Sequence, residues 1–196
     1  MEANNHRHFI LHKPYGYISQ FISNDVKSHK KKFLGELYDF PVETMSIGRL
    51  DEKSEGLLLL TTNGKLSATI NSKKIEKEYY AQVDGIITSE AITLLQNGVE
   101  IGLHGKKYIT KPGEARKIES PNFKARTQKI RDERHGPTSW VSITLKEGKF
   151  RQVRKMTSAV GFPTLRLVRV RVGEIQLDSL VPGEAVEVRS LLPFQH

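Results

Sequence analysis

Gly56-Leu57-Leu58-Leu59-Leu60-Thr61-Thr62-Asn63-Gly64 restricts the folding of this chain more than any other stretch. Four consecutive leucines offer no polar alternate position, so a strand built from them must be buried on both faces. The run is too short to cross a bilayer, which takes about 20 apolar residues in a helix. Asn63-Gly64 at its end is a turn signal, because both residues tolerate positive φ. A few residues upstream, Gly48-Arg49-Leu50-Asp51 places an acid in a loop whose glycine and charged neighbours favour exposure. A carboxylate mounted on a firm scaffold suits reactive chemistry, so Asp51 is the first candidate.

A chain of 196 residues fits one domain or two closely joined subdomains, and it can bury roughly 70% of its unfolded surface. It has no cysteine, which excludes a thiol nucleophile, a cysteine zinc site and a disulfide framework. No apolar stretch approaches about 18 residues, and the first residues lack the apolar centre of a signal peptide. A soluble protein located in the cytoplasm, with no membrane partner, is expected.

Charge points to the partner. The chain holds 31 Lys and Arg against 22 Asp and Glu, a net +9, with a pI near 9.7. Between Gly148 and Gly173 there is no acid, yet Lys149, Arg151, Arg154, Lys155, Arg166, Arg169 and Arg171 all lie there. Lys124, Arg126, Lys129, Arg131 and Arg134 form a second cluster, and Lys27 with Lys30-Lys31-Lys32 a third. Three separated clusters suit a surface that tracks a nucleic-acid backbone.

Patterning predicts an α+β fold with a largely antiparallel, mixed sheet. Strands are expected at residues 9–11, 45–50, 78–83, 107–111, 115–118, 140–145, 165–172 and 185–188. Short helical turns are expected within 33–38, and helices over 65–70, 89–97 and 152–160. Ser89 is the expected N-cap of the second helix and Gly98 its stop. Residues 119–139 read as a mobile basic loop.

Asp51 is followed closely by Glu52 and Glu55, a grouping open to a metal site or a glycosidase pair. No His or Asp cluster with ligand spacing accompanies it, so no metal is expected. On local sequence alone, Asp51 is equally a turn or capping residue. Three further segments change that weighing: Leu11-His12-Lys13-Pro14-Tyr15-Gly16-Tyr17-Ile18-Ser19, Glu76-Lys77-Glu78-Tyr79-Tyr80-Ala81-Gln82-Val83, and Glu147-Gly148-Lys149-Phe150-Arg151-Gln152-Val153-Arg154-Lys155-Met156 with the following Gly161-Phe162-Pro163. With Gly-Arg-Leu-Asp they resemble, in order and spacing, the pseudouridine synthases of the ribosomal small-subunit-A and large-subunit-B/E/F type. The resemblance spans roughly residues 9 to 190.

That resemblance implies a catalytic domain of two subdomains around a central active-site cleft, over residues 6–196, with halves of about 6–70 and 71–196. It implies isomerisation of a specific uridine in ribosomal RNA, in a stem-loop of the large-subunit 23S RNA, by a monomer without cofactor or metal. Asp51 is then the nucleophile. Tyr79, in the pattern Lys77-x-Tyr79, stacks on the extruded base or joins proton transfer, and Arg154 pairs with the acid and keeps it ionised. Arg49 would hold the flipped nucleotide. Lys13, Lys149, Arg151, Lys155, Arg166 and Arg169 would contact the RNA backbone, with the 119–139 loop gripping from outside. Many relatives carry Thr where Ser54 stands, and most carry an S4 domain before the lysine-proline motif. About eight residues precede Phe9 here, so no S4 domain is expected, as in the E-type enzymes.

Overall fold

The leucine run folds as a strand with no exposed residue. In the computed structural model, which describes residues 6–22, 31–72, 75–126, 128–131 and 133–191, all seven residues of Glu55–Thr61 are buried. Along the chain the elements are β1 (His8–Lys13), a 3-10 turn (Leu34–Glu36), β2 (Met45–Ile47), β3 (Glu55–Thr61), α1 (Gly64–Ser72), β4 (Lys77–Asp84), α2 (Ser89–Asn97), β5 (Glu100–Leu103) and β6 (Lys106–Ile109). There follow β7 (Glu114–Ile118), a 3-10 turn (Glu133–His135), β8 (Thr138–Leu145), α3 (Gln152–Ala159), β9 (Thr164–Val172), β10 (Ile175–Gln176) and β11 (Ala185–Val188). The class is α+β, with antiparallel pairing in β1–β11, β1–β3, β2–β3, β4–β8, β5–β6 and β7–β8.

Two units are distinguishable: Met1–Ile75 with Val172–His196, and Glu76–Arg171. The expected division near residue 70 left everything after it in the second half. Strand pairing instead carries the chain back, because β11 pairs with β1 in the register His8↔Val188 to Leu11↔Ala185.

In the first unit β1, β2 and β3 pair around the leucines, with Leu11↔Leu58 and Ile47↔Leu59 opposite one another. Leu58 and Leu60 pack with Phe9, Leu11 and Leu34, while Leu57 and Leu59 are equally buried on the other face. Each leucine so buried contributes roughly 1.5–3 kcal/mol. Asn63-Gly64 does not make a positive-φ turn. Asn63 caps α1, its Oδ1 accepting from Leu66 N–H at 3.0 Å, because an Asn side chain at that place satisfies an orphan helix donor.

In the second unit β9, β4, β8 and β7 lie side by side. Ala81, Val83, Val141, Ile143 and Leu145 meet Ala91 and Leu95 of α2 and Val153 and Met156 of α3 in one core. The cap of α2 is Thr88, one residue before the expected Ser89; its hydroxyl accepts from Ala91 N–H at 3.3 Å. Gly98 ends the helix at φ +97°, and a Cβ there would lie 2.2 Å from Thr110 O.

Candidate active site

Asp51 sits in a loop of the first unit that is fixed on both sides. The expected strand 45–50 stops at Ile47, since Gly48 takes φ +70° and turns the chain. Arg49 is then exposed, Leu50 buried and Asp51 half-buried. One hydroxyl holds the residue before the acid: Ser19 Oγ accepts from Leu50 N–H at 2.9 Å and donates to Leu50 O at 2.8 Å. Ser46 Oγ donates to Ser19 O at 3.1 Å. Beyond the acid, Ser54 N–H donates to Asp51 O at 2.9 Å, and Gly16 N–H donates to Glu52 O at 2.8 Å.

Lys13 has a different place from the one expected of an RNA contact. It is fully buried, and its ammonium donates to Pro14 O at 2.9 Å, Tyr17 O at 2.6 Å and Glu52 O at 3.4 Å. A buried cation is tolerated when its donors are satisfied, and three carbonyls match the three protons of an ammonium. Lys13 thus braces the lysine-proline turn against the loop that carries Asp51. Of the third basic cluster, Lys31 pairs with Glu52 and Lys32 lies over the Tyr17 ring at 5.4 Å; Lys27 and Lys30 lie outside the described residues.

In the second unit Tyr79 is half-buried and packs against the core through the face of β4 that also carries Ala81 and Val83. Tyr80 points the other way and meets Phe123 at 6.2 Å, which in turn meets Trp140 at 5.8 Å. Near the start of the strand, burial and then the like charge of Arg169 hold the Lys77 ammonium below the ordinary lysine pKa.

The basic motif 147–155 is organised by its one acid. Glu147 accepts from Tyr108 OH at 2.6 Å, Lys111 N–H at 2.9 Å and Gln152 Nε2 at 2.5 Å. Gln152 Oε1 accepts from Lys149 N–H at 2.9 Å, which closes the turn into α3. Burial pushes the Glu147 carboxyl up, but the bonds from Tyr108, Lys111 and Gln152 and the charge of Lys149 outweigh it, so its pKa falls below the usual carboxylate range. The bond to Glu147 first, then burial, raises the Tyr108 phenol. Glu147 opens a motif read in the sequence without a role of its own, and Tyr108 was not singled out; the spacing Glu147-x4-Gln152 was the available signal.

Arg151 opens α3 with φ +53°, a left-handed conformation that a non-glycine residue adopts at some cost. Arg154 is half-buried, its guanidinium 3.5 Å from Thr164 O, and Lys155 donates to Gly102 O at 2.6 Å. Arg151, Arg154, Lys155 and Ser158 line an open pocket of about 400 Å³ against Glu100, Ile101 and Gly102 of β5. Arg151, Arg154 and Lys155 therefore come together at the start of one helix, whose dipole adds positive potential and where three cations face the single acid Glu100, while Lys149 lies over the Tyr108 ring at 5.1 Å. An anion is what such a place attracts.

Arg166 and Arg169 do not join them. Both are buried; Arg166 lies over the Phe123 ring at 5.5 Å and donates to Lys124 O at 3.0 Å. The stretch expected as a loop, 119–139, contains the 3-10 turn Glu133–His135 and enters β8 at Thr138, and its described residues are anchored by Phe123 and by Arg131, whose guanidinium grips both carboxylate oxygens of Asp84. Among the described residues no cluster of His, Asp and Glu could hold a metal ion, and no helix is long and apolar enough to cross a membrane.

Comparison with known proteins is consistent with these motifs. Residues 7–159 match the RNA pseudouridylate synthase family. The chain is 37% identical over 192 residues to ribosomal large subunit pseudouridine synthase E of Vibrio parahaemolyticus, covering 96% of this chain and 76% of that protein. To the protein of the same name in Xanthomonas axonopodis pv. citri it is 39% identical over 176 residues, or 88% and 89% of the two chains. A crystal structure of a pseudouridylate synthase superimposes with a TM-score of 0.73 at 29% identity, covering 93% of this chain and 70% of that one.

Proposed function

The chain belongs to the RNA pseudouridylate synthase family, and from that premise we propose that it isomerises a uridine of ribosomal RNA, in the 23S RNA of the large subunit, with Asp51 as its nucleophile. The reaction breaks the N1–C1′ bond of uridine, turns the ring, joins C5 to C1′, removes the C5 proton and leaves N1 protonated, so that no atom is gained or lost overall. A carboxylate that bonds transiently to the sugar or to the ring divides this exchange into easier steps. One observation carries the assignment: Asp51 follows a residue whose N–H and C=O are both held by Ser19, and the loop after it is braced by Lys13. A nucleophile needs its backbone fixed to within a fraction of an ångström, and these bonds supply that fixing around Asp51.

The remaining roles are those that the family resemblance implies, and the chemistry of the side chains supports them. Tyr79 offers a ring on which an extruded uracil stacks, and a stacked uridine must leave its helix to react. Arg154 supplies the positive charge that keeps a nucleophilic carboxylate ionised at neutral pH. Arg49, Lys149, Arg151 and Lys155 hold phosphates. The protein works in the cytoplasm as a monomer.

The test incubates the purified protein with unmodified ribosomal RNA and maps pseudouridine by chemical modification. Asp51→Asn is expected to bind RNA and form no product. Product from the variant equal to that of the wild type would refute the nucleophile.

A further inference from the structure

Beside the pocket on α3 stands a side chain that the reaction above does not use. Phe150 is 59% exposed, an unusual position for a phenylalanine that closes no core. Lys155 Nζ lies 5.2 Å from the centre of its ring, and the His104 ring lies 6.3 Å away, tilted by 30°. His104 is held there by the tight turn between β5 and β6, where it takes φ +50° and Gly105 φ +78°. Arg151 follows Phe150 directly and is exposed, as is Lys149, which precedes it. An exposed aromatic ring with a second ring nearby and cations around it combines two things that single-stranded nucleic acid recognises: a stacking surface and phosphate charge.

We propose that Phe150, flanked by His104 and Lys155, is a stacking platform for an unpaired nucleobase of the substrate RNA, separate from the uridine that reacts. The proposal rests on the reading of RNA as substrate. Uracil and the other bases all present a flat π-face, so the platform selects an unpaired nucleotide rather than a particular base. Arg151 and Lys149, on either side of Phe150 in sequence, neutralise the phosphates of that nucleotide. The platform gives the enzyme a second grip on the loop and fixes where the target uridine falls. Phe150 therefore acts on substrate binding, not on the bond exchange.

The experiment uses an RNA hairpin with a uridine-containing loop in which 2-aminopurine replaces one unpaired nucleotide at a time. With the wild type, quenching is expected at one loop position, reporting the stack. Phe150→Ala should abolish that quenching and weaken binding on the order of tenfold, as the loss of one stacked base does; Phe150→Trp should restore both. In turnover of ribosomal RNA, Phe150→Ala should raise KM and leave kcat near that of the wild type. Quenching and affinity unchanged in Phe150→Ala would overturn the platform, and so would a fall in kcat with unchanged KM. Absence of pseudouridine from RNA treated with wild-type protein would refute the reaction itself, while the quenching would still decide the platform.

Discussion

Ser19 is the residue whose removal tests most directly how Asp51 is mounted. Its hydroxyl bonds both polar groups of Leu50, at 2.9 and 2.8 Å, with Ser19 and Leu50 only 5% and 6% exposed. In Ser19→Ala neither group regains water easily. A net bond is worth about 0.5–1.5 kcal/mol and an orphaned buried group costs about 1–3 kcal/mol, so a loss of about 2–3 kcal/mol is expected. For a chain of this size that lowers Tm by roughly 4–12 °C. Ser46→Ala, which removes one bond of 3.1 Å from a half-buried hydroxyl, is the control and should cost less than about 1 kcal/mol. The two variants are compared by calorimetry and urea denaturation, and their kcat on ribosomal RNA is measured well below either Tm. Slackening the loop should reduce kcat about 10- to 100-fold in Ser19→Ala, because small displacements of a reacting group are costly. A Tm equal to that of Ser46→Ala would refute the energetic reasoning. A lowered Tm with undiminished kcat would refute the link between the clamp and Asp51.

Glu147 gives a pH dependence. Its carboxyl lies below the usual range when folded, so its contribution to stability is complete above the unfolded value of about 4.3 and is lost as pH falls through the folded value. Glu147→Gln should therefore be less stable than wild type at pH 7 and approach it in acid, as read by urea midpoints at a series of pH values; a constant gap would count against the assignment. Gly98→Ala should destabilise the second unit by more than about 2 kcal/mol, since it combines a φ of +97° with a Cβ 2.2 Å from the Thr110 carbonyl. A Tm within a degree or so of wild type would show that α2 ends some other way.

How far the sequence led depends on which forces act locally. The doubly buried β3, the extent of α2 and the position of β11 follow from runs and periods that neighbouring residues impose on one another. Asn63-Gly64 misled because the same residue types serve turns and helix caps, and only the following helix decides between them. Arg166 and Arg169 misled for a deeper reason. Charge counted along a sequence treats each arginine as a surface group, whereas β9 packs these two inside. Lys13 belongs to the same class: its motif was legible, but its role as a brace depends on carbonyls from turns up to Glu52. At the candidate site, Asp51, Tyr79 and Arg154 were singled out by motifs that resemble a family, whereas the bonds that hold the surrounding loops were not legible. Ser19, Glu147 and Tyr108 act through hydrogen bonds to segments 31 to 39 residues away, and no local pattern records those.

The pairing of β11 with β1 also sets a schedule. Arg7 reaches Glu187 through two bonds of 2.7 Å across 180 residues of chain. At synthesis rates of about 5–20 residues per second, β1 waits some 9–36 s for its partner strand. All of Glu76–Arg171 emerges in that interval and can settle on its own contacts, while the unit that mounts Asp51 still has an open strand edge. Closure of the β1 edge in the unit that carries Asp51 thus waits until the chain is nearly complete, and variants that weaken β11 should leave newly made chains exposed to aggregation and proteolysis before they alter the finished protein.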